Sequence, residues 1–402
     1  MLSAPIRDLV RSTAPLLQTH GETLTRHFYA RLFERQPELR AVFNQGHQRS
    51  GQQQQALATA VAAYAAHIDD LAPLAAVLER IAHKHVSLGI RAEHYDIVGR
   101  DLLASIAEVL GPVLATPDLI EAWRQAYGQL AEVLINTENR LYASAVAQDG
   151  GWSGWRRFRI DAIRQESSDV SSFVLAPLDG GRVAPHRPGQ YVSVRLTVED
   201  GQLQQARQYS LSHATNGRTL RISVKLEDAP CTQHAGMVST MLHAHHKAGD
   251  VVDVAPPMGE FVLHTDRETP VVLISAGIGV TPMRAMLEHL SQHQSDRKVW
   301  ALHAARDRAM LALHGEMTSL LRGMRHGQQR THLESLDALS ADEGMLPGRL
   351  DLHKLAPQLP LLDADFYICG PLGFMRAQIS SLHDLGVTDT RIHAEAFGTG
   401  GV

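Results

Sequence analysis

The sequence predicts a multidomain chain: an all-α unit, then an antiparallel β-barrel, then an α/β unit built on a parallel sheet. Three observations predict it. Over the first ~145 residues apolar positions recur at helical spacing and β-branched runs are few. From Phe158 to about His264 the pattern changes to short strands (FRIDAI, SFVLAPL, QYVSVRLTV, RQYSLSH, TLRISVKL, DVVDVAP) separated by the turn sequences DGG, EDG and TNG. From Pro270 onward apolar strands (VVLIS, VWALHAA, ADFYICG) alternate with helical segments, the grammar of βαβ units. At 402 residues the chain exceeds one ordinary domain of roughly 150 residues, so each unit has room for its own core. The boundaries are placed at 1–147, 154–264 and 265–402, with Gly150, Gly151 and Gly154 marking a linker after the first unit.

Composition narrows the function. Hydrophobic residues at 44% and charged residues at 20% are ordinary for a globular chain, and a formal charge of −5 offers no basic field for nucleic acid or anionic lipid. No window approaches the ~20 apolar residues of a membrane helix, and MLSAPIRDLV lacks a leader's apolar run, so a cytoplasmic location is expected. The cysteines, Cys231 and Cys369, lie far apart without CxxC spacing, which argues against a disulfide framework or zinc site and for a reducing compartment. Histidine occurs 23 times, so one histidine alone proves little.

In the first unit, His85 occupies a place on the stripe Leu74, Leu78, Ile81, His85, Leu88 where leucine would be expected. Tyr95 opens the stripe Val98, Leu102, Ile106, Val109. Glu138 interrupts Tyr127, Leu130, Leu134, Leu141 on the last helix, where a carboxylate is costly without a donor beside it. Singly, each is as often a satisfied core residue. Together they predict one network: His85 binds a metal through one ring nitrogen, Glu138 holds the other N–H, and Tyr95 completes it. Elsewhere in the unit Tyr29 in HFYARLF turns inward with Phe33, Gln53 heads the stripe Leu57, Ala60/Val61, Tyr64, and Phe43 follows the turn at Pro37.

In the barrel the string Arg207-Gln208-Tyr209-Ser210 lies on a strand whose alternation puts Arg207 and Tyr209 on one face and Ser210 on the other. RPGQY supplies Gln190 and Tyr191. GMVSTMLH opens a helix at which Gly236, Val238, Ser239 and Thr240 offer backbone N–H groups and hydroxyls to a phosphate, or simply cap the helix.

The third unit carries PVVLISAGIGVTPM. A continuous apolar strand runs into Gly277-x-Gly279, followed by Val280, with Thr281 as the expected N-cap and Pro282 as the first helical residue. The glycines permit close approach to a pyrophosphate, although the third glycine of the strict dinucleotide fingerprint is missing and a ligand-free tight turn reads the same. A second strand ends at Cys369-Gly370-Pro371, then Gly373, Phe374 and Met375, so two strand edges point to one crevice. Arg306 and Arg308 stand where a 2′-phosphate would be met and no acidic ribose partner is evident; the choice between NADH and NADPH stays open, with a lean to NADH.

The GxGxTP turn, the CGP segment and RQYS resemble the ferredoxin-NADP reductase family, and the helical unit resembles a globin. From residue 1 to about 398, the whole chain is similar to a flavohaemoglobin, a nitric oxide dioxygenase family. The resemblance implies haem b on His85, with Tyr29 and Gln53 on the distal side, Tyr95 and Glu138 tuning the imidazole, Phe43 and Leu57 lining the pocket, and Lys84 reaching a propionate. It implies FAD bound by Arg207 at the diphosphate, Tyr209 against the isoalloxazine, Ser210 near N5, and Gln208, Gln190 and Tyr191 as further contacts. It implies NAD(P)H at Gly277, Gly279, Thr281 and Pro282, Cys369 beside the nicotinamide, and Glu395 and Phe397 of the tail HAEAFG near both rings. The implied activity turns nitric oxide and O2 into nitrate in a monomeric protein, electrons passing from nicotinamide to FAD to haem. Ala396 and the ending TGGV depart from the family pattern. A flavin or ferric reductase with a vestigial globin and a non-enzymatic gas sensor are the rival readings.

Overall fold

The computed structural model describes residues 2–43, 48, 50–198, 203–227 and 236–398. Cys231 and the final four residues of the chain lie outside the described residues.

Among the described residues six helices build the first unit: α1 (Ala4–Ser12), α2 (Ala14–Arg35), α3 (Gln52–Ala66), α4 (Ala75–Leu88), α5 (Ala92–Leu114) and α6 (Pro117–Ala147). Their apolar stripes form a core around Phe28, Leu32, Tyr64, Ile106 and Trp123, and a second cluster where Leu78, Ile81 and Ala82 of α4 pack on Tyr95, Ala131 and Leu134. Local chemistry explains the ends. Gly89, at φ +78°, lets the His85 helix stop in a left-handed turn whose N–H bonds the Val86 carbonyl at 3.1 Å. Thr116 caps α6 by accepting from the Leu119 N–H at 3.3 Å, with Pro117 at the first position. A short 3-10 turn, Pro37–Ala41, leads to Phe43.

The six strands β1 (Arg156–Gln165), β2 (Val170–Pro177), β3 (Tyr191–Val198), β4 (Leu203–Ser210), β5 (Leu220–Lys225) and β6 (Val251–Val254) pair in the order β4-β3-β6-β1-β2-β5, and every ladder is antiparallel. A bridge from Leu211 to Ile222 joins the two edges and closes the barrel. Helix α7 (Met237–His245) plugs one end through Val238 and Leu242.

The last sheet contains β7 (Val271–Ala276), β8 (Val299–Ala305), β9 (Gly327–Leu333), β10 (Leu346–Pro347), β11 (Asp365–Cys369) and β12 (Ile392–Glu395), all parallel, in the order β10-β9-β8-β7-β11-β12. Strand order reverses between β7 and β11, so the Gly277 turn and the Gly370 turn flank the switch point where open sheets bind ligands. Helices α8 (Val280–His293), α9 (His314–Arg322) and α10 (Leu372–Asp384) belong to this unit. Arg221 of β5 forks onto Glu316 of α9 at 3.0 Å, with Arg284 of α8 on the same carboxylate at 2.7 Å, which ties barrel to sheet.

One helix start departs from expectation. The Gly277–Gly279 turn winds into a 3-10 helix, so α8 begins at Val280 with Gly279 before it; Thr281 is not the cap and Pro282 is the third helical residue. Thr281 instead donates from its hydroxyl to the Ile278 carbonyl at 3.0 Å. The flexible glycine backbone curls early and satisfies the helix entry itself.

Candidate functional site: a helical pocket beside two strand edges

Helices α4, α5 and α6 bring His85, Tyr95 and Glu138 together. The His85 Nδ1 lies 2.8 Å from Glu138 Oε1 and 3.0 Å from the Tyr95 hydroxyl, which itself donates to Glu138 Oε1 at 2.5 Å. Glu138 is 2% exposed, so its charge is compensated by these donors rather than by water. Burial, followed by the Glu138 carboxylate, pushes the Tyr95 hydroxyl far above its ordinary range, which keeps it a donor. With Nδ1–H given to Glu138, the imidazole lone pair sits on Nε2, the atom left for a metal. Tyr127 holds the Tyr95 carbonyl at 2.6 Å, and it fits only because residue 99 is glycine: a Cβ there would stand 2.4 Å from the Tyr127 ring.

On the other side of the pocket Tyr29 is buried, its ring 5.4 Å edge-on to Phe43 and 5.8 Å stacked on Phe33. Burial raises its hydroxyl pKa, and the side-chain amides of Gln53 and Gln48 partly offset this by hydrogen bonding. Gln53 Oε1 is buried without a partner. Leu57, Phe43, Ile81 and Val98 are apolar yet only half-buried. Half-covered apolar side chains in a pocket that also holds a free imidazole nitrogen and an orphaned amide oxygen fit a flat, largely apolar ligand such as a porphyrin.

The barrel edge lies against this pocket. Tyr191, 6% exposed, packs with Val86, Tyr142 and Met258, next to the His85 helix turn. The hydroxyl of Ser210 is buried without a hydrogen-bond partner, as is Glu395 Oε2. These orphans fit a polar ring system between β3, β4 and the tail. Gln208 does not point to such a ring: its amide donates to Ser87 on α4 at 2.8 Å, across the domain interface. Gln190 takes the Arg187 N–H at 2.9 Å and shapes the RPG turn. Gly236 precedes α7, where Ser239 donates to the Gly236 carbonyl at 3.0 Å and Thr240 donates its N–H to the same carbonyl at 2.9 Å; Val238 faces the core. Arg207 donates to the Gln205 side chain at 3.2 Å, and Tyr209 packs on the barrel core.

At the switch point backbone does the work. A Cβ on Gly279 would lie 2.2 Å from the Cys369 carbonyl oxygen and 2.7 Å from the Gly370 nitrogen, while one on Gly370 would press the Ala276 nitrogen at 3.1 Å. Pro371 precedes α10 and Val280 is buried at the start of α8. Cys369 is fully buried and burial pushes its thiol well up, so it presents a small neutral wall rather than a thiolate. Register pairs Cys369 with Glu395, which brings the tail to the same edge; there burial, then Glu260, lifts the Glu395 carboxyl to about 8, against the pull of Lys84 and Arg80. Phe397 is 43% exposed. Lys84 donates to the Gly398 carbonyl at 2.8 Å and so clamps the tail to α4. Arg308 is forked onto Glu343 at 2.5 and 2.8 Å, and Arg306 is exposed.

The chain matches the Globin model over residues 26–134, the oxidoreductase FAD-binding domain over 157–263 and the oxidoreductase NAD-binding domain over 273–379. It is 53% identical over 405 residues to the flavohemoprotein of Bordetella pertussis, covering all of both chains, and 54% identical to that of Chromobacterium violaceum, covering 99% of each. This chain belongs to the flavohaemoprotein family. Among solved structures, the flavohemoglobin of Malassezia yamatoensis with bound FAD and heme superimposes with a TM-score of 0.87 at 31% identity, covering 99% of this chain and 100% of that one. The FAD/NAD-binding domain of a nitric oxide dioxygenase from Vibrio cholerae aligns with 60% of this chain and 98% of that one, at 41% identity and a TM-score of 0.56.

Within this flavohaemoprotein, several site neighbours carry little or no signal in the sequence. Ser87, Gln205 and His83, whose Nδ1 accepts from the Gly259 N–H at 3.1 Å, all act across the domain interface. Only Gln205 offered a hint, as a polar residue two places before Arg207 on the same strand.

Proposed function

We propose that this flavohaemoprotein is a nitric oxide dioxygenase: nitric oxide and O2 become nitrate, each NAD(P)H supplying the electrons for two turnovers. The observation that carries the reading is the paired arrangement of His85, with Nδ1 held by Glu138 at 2.8 Å, and the Tyr29–Gln53 pair on the same pocket, joined to the RQYS strand through the Gln208–Ser87 bond. The family's haem and FAD supply O2 binding at iron and the splitting of a two-electron donor into single electrons.

The chain's own residues do the rest. His85 would hold iron through Nε2, and Glu138 makes that imidazole a stronger donor by taking its Nδ1 proton in a hydrogen bond. Tyr29, kept protonated by burial, and Gln53 offer hydrogen bonds to negative charge developing opposite His85. Phe43 and Leu57 exclude water from that side. Arg207 would meet the flavin diphosphate, Gln190, Tyr191, Tyr209 and Ser210 the rest of the flavin, and the α7 entry at Gly236, Val238, Ser239 and Thr240 a phosphate. Gly277, Gly279, Val280, Thr281, Pro282, Gly370 and Pro371 shape the nicotinamide crevice, with Cys369, Glu395 and Phe397 at its end. Arg308, already committed to Glu343, is a poor anchor for a 2′-phosphate, which favours NADH. The reading places the protein in a reducing cytoplasm as a monomer; no helix among the described residues is long and apolar enough to cross a membrane.

The test is direct. The purified protein should show a haem Soret band with flavin absorbance, NADH should reduce both anaerobically, and nitric oxide added with O2 should appear stoichiometrically as nitrate. Full NADH oxidation without nitrate would reduce the protein to a flavin reductase.

A further inference from the structure

The side chain of Gln205 lies between two places read so far as separate sites. It is fully buried on β4. Its amide oxygen accepts from Arg207 Nη1 at 3.2 Å, while its nitrogen reaches the backbone carbonyls of Arg40 at 3.2 Å and Phe43 at 3.4 Å, besides that of its neighbour Gln204 at 3.0 Å. A carboxamide joins donor and acceptor on one rigid plane, so the two ends move together. One side chain thus separates the arginine of RQYS from the turn that presents Phe43.

Further along the same strand, Gln208 donates to Ser87, whose hydroxyl donates to the Lys84 carbonyl at 2.8 Å on the helix of His85. Strand β4 therefore grips the helical unit on both the Phe43 side and the His85 side. The Phe43 ring in turn stands 5.4 Å from the Tyr29 ring and 5.4 Å from Phe33. In a packed core such contacts transmit displacement instead of absorbing it.

We propose that Gln205 is a positioning residue that couples occupancy of the anion site at Arg207 to the wall of the haem pocket at Phe43. This rests on the assignment of flavin diphosphate to Arg207 and haem to the His85 pocket. An anion on Arg207 fixes the guanidinium and hence the Gln205 oxygen. The nitrogen of the same plane then settles on the Arg40 and Phe43 carbonyls, holding the Phe43 ring against Tyr29. Without the anion the guanidinium is less constrained, and the Gln205 plane holds that alignment less firmly. Linkage makes the effect reciprocal: whatever factor FAD applies to binding of a haem ligand, the ligand applies to FAD.

The experiment uses the haem-loaded full chain, stripped of FAD and titrated with it, with carbon monoxide as the probe. In the natural sequence FAD should change the carbon monoxide affinity about fivefold, the lower end of ordinary coupling between sites, and shift the C–O stretching band. Gln205→Glu keeps an oxygen for Arg207 but sets a carboxylate against the two carbonyls and beside the guanidinium; it should weaken FAD, and at saturating FAD the FAD-dependent change should shrink to within about twofold. Gln205→Leu should lose the coupling and weaken FAD as well. The natural chain alone can overturn the proposal, if its carbon monoxide affinity and stretching band ignore FAD; so can Gln205→Glu with the full change retained. Neither result depends on nitric oxide, so nitrate formation can fail while this coupling stands, or the reverse.

Discussion

The helical pocket and the nicotinamide edge solve the same problem with different parts of the chain. Around His85 the work is done by side chains that satisfy one another: imidazole, phenol and carboxylate within 3.0 Å. At the switch point it is done by backbone, and the decisive feature is the absence of atoms, since Gly279 leaves no space for a Cβ against Cys369. A site of side chains can be weakened by degrees. A site of backbone fails as soon as a carbon is added.

Breaking the backbone site should have the largest effect. Gly279→Val drives its Cβ into the Cys369 carbonyl at 2.2 Å, so the β7 and β11 edges must part. Hydride transfer from NADH to flavin, followed anaerobically by stopped flow, should fall more than about 100-fold, and stability by about 3 kcal/mol. His85→Ala comes next and tests whether the two regions are independent: the Soret band should be lost while NADH still reduces flavin at the original rate. If flavin reduction collapses too, the comparison is wrong.

Graded changes should follow in the helical pocket. Gly99→Ala pushes on the Tyr127 ring and through it on Tyr95, an overpacking cost of about 1–3 kcal/mol in chemical denaturation with haem retained. Glu138→Gln keeps the shape but removes the charge; it should lower the iron–histidine stretching frequency and cost about 1–2 kcal/mol.

The tail, where the two regions touch, should respond to pH instead of to added or lost atoms. Glu395 keeps its proton to about pH 8 when folded, against an ordinary value of 4.5, because it is buried facing Glu260. Its contribution to stability is therefore fully present below pH 4.5 and is lost as pH rises to about 8, with a slope of at most about 1.4 kcal/mol per pH unit. Glu395→Gln should flatten that part of the stability profile, measured by denaturation at closely spaced pH values.

How much of this is legible in the sequence follows from the period of each element. His85, Tyr95 and Glu138 are visible because each interrupts an apolar stripe of helical spacing, and the structure brings all of them to one point. The barrel strands show as alternation bounded by turns, and β7, β8 and β11 as apolar runs. Strands β9 and β12 are hidden, since GQQRTHL and IHAE are too polar or too short to stand out. Thr281 misleads because a glycine turn can enter a helix without a capping side chain.

The chain's order of residues determined by itself the three architectures, the inward polar groups of the helices and the glycine turns, because each depends on neighbours within a few positions. Tertiary packing alone decided that Gln208 meets Ser87, that Gln205 spans Arg207 and Phe43, and that Lys84 holds the tail. Those partners are 121, 162 and 314 residues apart for Gln208–Ser87, Gln205–Phe43 and Lys84–Gly398, and no local periodicity relates them. They meet only because separately folded surfaces bury one another, where each polar group must find whatever donor or acceptor the opposite surface supplies.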